Sequence, residues 1–356
     1  MKPLPKTIAQ IDTPAVLIDV DRARANIARA QAYADRAGLK LRPHIKTHKL
    51  PFWAGEQIAA GAVGLTVQKL GEAEVMADAG FHDLFLPYNI LGPDKRARLA
   101  ALHRRARMSV TADSATVIDG LAESFNDAAH PLPVLIECDT GMGRCGVQSP
   151  EAALVLARQI AAQPGLTFGG LMTYPPAGRP GEAIDWLRAA RGLLDGAGLD
   201  CPVISSGGTP DIWRAETGGV VTEYRPGTYI YMDRYCIAKG VGSADDCALT
   251  VLTTIVSRPV PGRAILDAGS KALTSDLLGQ PDHGEIVGHP GARVTGLSEE
   301  HGTVTLPEGS PLAVGDRVRV LPNHACPVSN LFDEVYLISG ERVVDCLPVA
   351  ARGRVG

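Results

Sequence analysis

Before about Ala248, short apolar runs alternate with longer segments in which apolar residues recur every three to four positions. The short runs are rich in β-branched residues, whereas the longer segments are rich in alanine, as in "EAALVLARQIAAQ". This alternation is typical of parallel strands joined by helical crossovers. It predicts an α/β fold, and the number of strands decides which one.

Eight apolar runs follow an opening run, "AVLIDV", and a helix-periodic segment at residues 21–38. The eight runs are "LKLRPHI", "AVGLTVQ", "DLFLPYN", "RMSVTAD", "PVLIECD", "LTFGGLMTY", "PVISSGG" and "VVTEYRPGTYI". Eight strands with helical crossovers predict a (β/α)8 TIM-type barrel, which usually takes about 250 residues.

The pattern changes after Ala248, where runs such as "ALTVLTTIVSRPV", "RAILDAG" and "DRVRVLPN" follow one another without long helical segments. This predicts a smaller antiparallel β domain. We place the barrel at residues 22–240 and the β domain at residues 1–21 and 241–356. The opening run joins the β domain because the barrel needs only its own eight strands.

Composition narrows the kind of partner. The chain has 356 residues, with 35 basic and 39 acidic side chains and a formal charge of −4. It therefore lacks the basic surface that binds nucleic acid or anionic membranes, and we expect a small-molecule partner. No apolar run approaches the roughly 18 residues of a membrane span, and we find no signal core, which predicts a cytoplasmic protein. The seven cysteines form no CxxC pair, so neither a disulfide framework nor a zinc knuckle is indicated.

The first candidate for chemistry is Lys46, in "RPHIKTHK" at the end of the first barrel run. Active sites of (β/α)8 barrels lie at the C-terminal ends of the strands. A lysine held there can form a Schiff base if burial or neighbouring cations keep it partly neutral, and Arg42, His44 and His48 can supply that field. The alternative is a surface lysine beside a turn, and the position at a strand end favours the chemical role.

Other strand ends carry Gln68, Asn89, Arg144 and Tyr174. Arg144 stands in "DTGMGRCG", where glycines let the backbone fold tightly, so its side chain can reach an anionic oxygen. Each of these residues is equally explained as a strand cap or a loop charge when it is taken alone.

Two glycine-bearing loops end the seventh and eighth runs: "SSGGTP" at residues 205–210 and "RPGTY" at residues 225–229. Their hydroxyls and backbone N–H groups, with a helix expected to start at Asp211, form a candidate phosphate cradle. One such loop is a weak signal. Two of them opposite a lysine predict pyridoxal 5′-phosphate, a carbonyl cofactor that carries a phosphate.

The predicted β domain carries His324 and Cys326 in "PNHACPVSNLFDE". On an extended strand, residues two apart point to the same face, so this pair can bind one divalent ion and leave room for substrate. A buried thiol beside a hydrogen-bonded histidine is an equally good interpretation of the pair by itself.

Taken together, these segments resemble fold-type III pyridoxal-phosphate enzymes, within the D-threonine aldolase and D-serine dehydratase group. The resemblance covers nearly the whole chain. The segments that carry it are "DTPAVLID", "RPHIKTHK", "QKLGEAE", "DTGMGRCGV", "SSGGTP", "RPGTYIYMD", "LDAGSKA" and "PNHACPVSNLFDE". It implies a homodimer and gives each candidate residue a role.

By this resemblance, Lys46 is the Schiff-base lysine, Arg144 lies near the phenolic oxygen of the cofactor, and Tyr174 lies near its ring. Gln68 is a further cofactor residue, and Lys46, Tyr174 and His324 are the catalytic side chains. His324 and Cys326 are the metal pair. The residues expected around the phosphate are Ser206, Gly207, Thr209, Gly227, Thr228 and Tyr229.

The resemblance implies a lyase for 3-hydroxy-D-amino acids. We expect a D-threonine aldolase, which gives glycine and an aldehyde, because the chain length and C-terminal segment resemble that group. Cys326 favours the alternative, a dehydratase for D-serine or D-3-hydroxyaspartate that gives a 2-oxo acid and ammonia, since aldolases commonly carry His-x-Asp. A thiolate also favours zinc, whereas a carboxylate suits manganese or magnesium.

Two further alternatives fit less well. An amino-acid racemase has no evident use for the His324 and Cys326 pair. A cofactor-carrying homeostasis protein without enzymatic activity is represented in this family by a barrel alone, and the additional residues here argue against it.

Overall fold

The computed structural model describes residues 3–356. Its strands are β1 (Ala15–Asp19), β2 (Lys40–Leu41), β3 (Leu65–Thr66), β4 (Asp83–Leu86), β5 (Arg107–Ala112), β6 (Leu132–Cys138), β7 (Leu166–Thr173), β8 (Val203–Ser206), β9 (Glu223–Tyr224), β10 (Leu249–Val260), β11 (Arg263–Leu266), β12 (Gly284–Ile286), β13 (Arg293–Leu297), β14 (Gly302–Thr305), β15 (Arg317–Pro322), β16 (Glu334–Ser339) and β17 (Arg342–Pro348). Its helices are α1 (Val20–Arg36), α2 (Pro51–Ala59), α3 (Leu70–Asp78), α4 (Pro93–His103), α5 (Ala115–Ser124), α6 (Pro150–Ala161), α7 (Pro180–Gly196), α8 (Arg234–Ala238), α9 (Ser270–Leu273) and α10 (Ala325–Leu331).

The chain divides into two compact units. The first contains the residues up to Ala28, Thr47–Leu50 and Thr228–Gly353, and the second contains Arg29–Lys46, Pro51–Gly227 and Arg354–Gly356. We call them the β unit and the barrel unit.

The barrel unit is built on eight parallel strands in the order β2, β9, β8, β7, β6, β5, β4, β3. The two ends of this sheet meet: the Val63 N–H donates to the Leu41 carbonyl over 2.9 Å, and the Thr66 N–H donates to the Pro43 carbonyl over 2.8 Å. Every strand coincides with one of the eight apolar runs, so the predicted (β/α)8 barrel is confirmed.

Helices α2 to α7 connect successive strands from β2 to β8. Four of them, α2, α4, α6 and α7, begin with proline, whose fixed φ suits the first helical turn. The Oγ of Ser149 also caps α6 by accepting from the Ala152 N–H over 3.2 Å.

The prediction that a helix starts at Asp211 is wrong. A 3-10 segment, Thr209–Arg214, starts two residues earlier, and Asp211 itself has non-helical backbone angles. Its carboxylate accepts instead from the Gly178 N–H over 2.9 Å, a bond to another loop that a sequence pattern does not reveal.

The β unit is a nine-stranded sheet in which every pair is antiparallel except β1 with β16. The long strand β10 pairs with β15 and β1 in its first half and with β11 in its second, so six strands from β10 to β15 close on themselves. The opening run "AVLIDV" forms β1 in this sheet, as predicted. Ile11, Leu17, Leu252 and Ile338 form part of its core.

Two strands of this unit, β12 and β13, are absent from the sequence prediction. Both are short and contain glycine, which lowers the strand signal.

Among residues 3–356, none of the helices combines the length and apolar character that a membrane span requires.

Candidate active site and metal pair

Lys46 lies in a 3-10 turn, Ile45–Thr47, which begins four residues after the end of β2, and it is half-buried. Its backbone N–H donates to Nδ1 of His44 over 3.3 Å, and Nε2 of the same ring lies 2.9 Å from Oε1 of Gln68. Because Nδ1 accepts, Nε2 is the ring nitrogen that donates to Gln68 in this arrangement. The structure therefore brings Lys46 and Gln68 together through the ring of His44, one of the predicted cations.

Arg42, another predicted cation, is paired with two carboxylates. Its guanidinium is bonded to Glu223 and Asp83, each over 2.7 Å. Opposite charges at this distance compensate the guanidinium locally. That Arg42 and His44 act as cations on Lys46 therefore stays a prediction.

The two predicted cradle loops lie side by side. The Gly227 N–H donates to the hydroxyl of Thr209 over 3.2 Å, which joins the loop after β9 to the loop after β8. The Pro226 carbonyl accepts from the His44 N–H over 2.9 Å, so the loop that carries Lys46 adjoins them. Parallel pairing places these strand ends at one edge, as the barrel prediction requires.

The loop after Ser206 has room only for glycines. Gly207 has a φ of +89°, and a Cβ there would lie 1.9 Å from Cε2 of Tyr224. A Cβ on Gly208 would lie 2.7 Å from Cε2 of Tyr174. Bare backbone packed this closely can present N–H groups to an anion, so these residues fit a phosphate-bearing cofactor.

Arg144 and Tyr174 are neighbours, as the sequence analysis expected of residues around one cofactor ring. The Arg144 guanidinium lies 5.1 Å from the centre of the Tyr174 ring, within the range of a cation–π contact. An oxygen of Glu137 lies 3.9 Å from Arg144 Nη2. Burial raises the pKa of Glu137, while the charges of Arg144 and Arg225 oppose the shift.

Arg225, which has no individual role in the sequence predictions, is buried at the start of the loop after β9. Its guanidinium donates to the Ser205 hydroxyl over 2.5 Å and to the Thr173 carbonyl over 2.7 Å. Burial lowers its pKa to about 10, against the charges of Glu223 and Glu137. Arg225 is the first residue of the motif "RPGTY", in which the glycine and the hydroxyl groups are the residues that predict phosphate binding.

In the β unit, the prediction that His324 and Cys326 lie on an extended strand is wrong. Strand β15 ends at Pro322, and Cys326 lies in the first turn of α10. A carboxylate oxygen of Asp233 accepts from the Ala325 N–H over 3.0 Å, and Pro327 suits a first helical turn. The local turn replaces the strand, yet the Cys326 thiol still hydrogen-bonds to His324.

Two hydroxyls accompany the thiol of Cys326. Thr47 Oγ1 lies 3.2 Å from Sγ, and Thr228 Oγ1 lies 3.4 Å from it. Hydroxyl donors suit a thiolate, the form that binds metals. Thr228 is predicted to lie at the phosphate, and Thr47 has no predicted role. Tyr229, also expected there, is 0% exposed, and its role at a cofactor stays a prediction.

His324 is held from its other side by Asp276, whose Oδ2 lies 2.7 Å from Nδ1. Burial lowers the pKa of His324, but the hydrogen bond and charge of Cys326, with the hydrogen bond of Asp276, outweigh it and raise the pKa to about 9. A nitrogen and a sulfur placed together suit a borderline-soft divalent ion. Across residues 3–356, the structure holds no group of three or more His, Cys, Asp or Glu side chains that could hold a metal ion.

Comparisons with known proteins agree with this organisation. Residues 18–235 match the family described as alanine racemase, N-terminal domain, and residues 248–338 match the putative serine dehydratase domain. The first match spans the barrel strands. The second covers the strands of the β unit from β10 to β16, apart from the last residue of β16, and it includes the His324 and Cys326 pair.

Among individual relatives, a D-threonine aldolase of Arthrobacter sp is 36% identical, over 97% of this chain and 94% of the relative. The solved structure of D-threonine aldolase from Filomicrobium marinum has a TM-score of 0.92 and 32% identity, and it covers 99% of this chain and 100% of its own. D-threo-3-hydroxyaspartate dehydratase from Delftia sp. HT23 has a TM-score of 0.88 and 32% identity, covering 97% and 99%. A cysteine-to-alanine variant of that dehydratase, in a metal-free form, superposes equally well.

These matches extend over nearly the full length of each protein, so they concern both units and not an isolated barrel. The resemblance stated from the sequence motifs is confirmed. This chain belongs to the fold-type III pyridoxal-phosphate enzymes, in the family that contains D-threonine aldolase and D-serine dehydratase.

Proposed function

We propose that this protein is a pyridoxal-phosphate and divalent-metal-dependent lyase that cleaves 3-hydroxy-D-amino acids of the D-threonine type into glycine and an aldehyde. The observation that carries the proposal is the likeness to D-threonine aldolases over the whole chain, in sequence and in structure. The two sets of polar residues in the units give that likeness a chemical basis.

In the barrel unit, Lys46 would hold the cofactor through its Nζ, and the loops at Ser206 and Gly227 would hold its phosphate. Arg144, Tyr174 and Gln68 would surround its ring. When bound, the cofactor supplies an electron sink for the bond that breaks at the α-carbon of the substrate. The glycine-only packing of Gly207 supports this assignment, because a side chain would close the cradle.

In the β unit, His324 Nε2 and Cys326 Sγ would hold the ion, and we favour zinc because one ligand is a thiolate. When bound, the ion supplies Lewis acidity toward a hydroxyl oxygen, which suits a substrate with a 3-hydroxyl group. The metal-free cysteine variant of the related dehydratase supports a cysteine ligand.

The chain's own groups must also handle protons. Lys46 can hold a proton at Nζ and return it to the α-carbon of the product glycine. His44 keeps the turn that carries Lys46 in place, because its ring bonds to both the Lys46 N–H and Gln68. We also propose that the enzyme works as a homodimer on a free amino acid.

The products distinguish the candidate reactions. Purified protein is incubated with D-threonine and with D-serine, with zinc or manganese added. Glycine and acetaldehyde from D-threonine support the aldolase, whereas a 2-oxo acid and ammonia would show a dehydratase. Inversion of alanine in the presence of a chelator would overturn the lyase proposal altogether.

A further inference from the structure

Asp276 has no place in the sequence motifs, yet it contacts the predicted metal ligand directly. Its Oδ2 lies 2.7 Å from Nδ1 of His324. A carboxylate can only accept, so Nδ1 carries the proton and donates. Nε2 is then the nitrogen that is left to meet an ion.

A buried network holds the loop that carries Asp276. Asn323 donates through Nδ2 to the carbonyls of Asp282 and Asp276, over 2.6 and 3.2 Å. Its Oδ1 accepts from Arg234 Nη1 over 2.6 Å, and the same guanidinium is paired with the carboxylate of Asp282. Asn323 precedes His324 in the chain, so one residue fixes both the loop and the start of the metal segment. Buried groups therefore hold the backbone on both sides of the contact between Asp276 and His324, and the contact does not depend on an exposed side chain alone.

We propose that Asp276 is a positioning residue for metal binding: its carboxylate fixes the tautomer and ring orientation of His324, so that Nε2 faces the ion. This inference rests on the metal site in the proposed function. Metal-ligating histidines commonly donate their second N–H to a carboxylate, and loss of that partner costs about 10–100-fold in metal affinity. Asp276 itself does not touch the substrate or the ion in this role.

The test measures the zinc affinity of the metal-stripped full-length protein by competition with a coloured chelator. Asp276→Ala removes both charge and hydrogen bond, and we expect affinity to fall about 10–100-fold. Asp276→Asn keeps an acceptor for Nδ1–H, so its loss should be smaller. The control is Asp245→Asn, which makes the same charge change at a side chain that is 98% exposed, and it should bind zinc like the wild type.

Two further measurements separate positioning from folding. The thermal midpoint of each metal-stripped variant should match that of the wild type, because the backbone bonds from Asn323 to the loop remain. With cobalt in place of zinc, the sulfur-to-cobalt absorption band should need more metal to saturate in Asp276→Ala. Equal zinc affinity in Asp276→Ala and the wild type would overturn the inference, as would a fall in affinity fully matched by lost stability.

Cys326→Ala tells this failure apart from failure of the metal site itself. If Cys326→Ala and the wild type bind zinc equally, the assigned pair is wrong and the inference falls with it. If Cys326→Ala loses zinc while Asp276→Ala does not, the metal site stands and only the role of Asp276 is refuted.

Discussion

The hydroxyl of Thr47 lies 3.2 Å from the thiol of Cys326, and Thr47 follows Lys46 directly in the chain. Thr47 of the motif "RPHIKTHK" thus lies beside the predicted metal pair. Lys46, the residue before it, is the candidate for holding the cofactor. A single short segment takes part in both halves of the proposed chemistry. Neighbouring residues of this motif can therefore be tested for separate effects.

Lys46→Ala should abolish the visible absorbance of bound pyridoxal 5′-phosphate, because it removes the amine that is proposed to bond to the carbonyl. Absorption spectra of the purified protein and its borohydride-reduced form measure this directly. Lys40→Ala is the control, since Lys40 is exposed at the other end of the same strand. Retained colour that borohydride still reduces in Lys46→Ala would mean that another lysine holds the cofactor.

Cys326→Ala should weaken zinc binding by more than the roughly 10–100-fold typical of losing an outer partner, because it removes a ligand itself. Activity should then depend on added metal and become more sensitive to chelator. Cys346→Ala serves as the matched control, since Cys346 is another half-buried thiol of the same unit. Chelator-resistant, unchanged activity in Cys326→Ala would refute the metal assignment.

Gly207→Ala should reduce cofactor affinity and lower thermal stability. The added Cβ would lie 1.9 Å from the Tyr224 ring at a φ of +89°, and the strained backbone alone costs about 1 kcal/mol or more. Gly192→Ala is a control with the opposite sign: it lies within α7 with open space around it, so it should stabilise by about 0.5–1 kcal/mol. Calorimetry and cofactor titration measure both effects, and a neutral Gly207→Ala would show that the cradle is not as rigid as described.

Arg225→Ala should lower the free energy of unfolding by roughly 1–3 kcal/mol for each buried partner that it leaves without a donor, the Ser205 hydroxyl and the Thr173 carbonyl. Arg225 is 6% exposed and bonded to Ser205 and Thr173. Arg188→Ala removes an exposed pair with Asp185, in which the side chains are 54% and 76% exposed, and should cost less than about 1 kcal/mol. Urea denaturation of both variants provides the comparison, and equal losses would contradict the assigned burial.

Periodicity along the chain was sufficient for the architecture. All eight barrel strands follow from local alternation, because buried strands must be apolar and crossovers must be amphipathic, and counting them assigns β1 to the β unit. The short strands β12 and β13 were not predicted, because three to five residues with glycine leave no periodic signal. Motifs also located Lys46, Arg144 and the two cradle loops, because their residues are close together in sequence.

The sequence by itself determined the fold, the family and the residues with reactive groups, since these depend on composition and order over short spans. Only the tertiary structure decided their partners. It paired Arg42 with Glu223 and Asp83, placed the His44 ring between the Lys46 N–H and Gln68, and set Asp276 against His324 from 48 residues away. Charge and tautomer depend on neighbours in space, and the strand and loop contacts that supply those neighbours are distant in sequence.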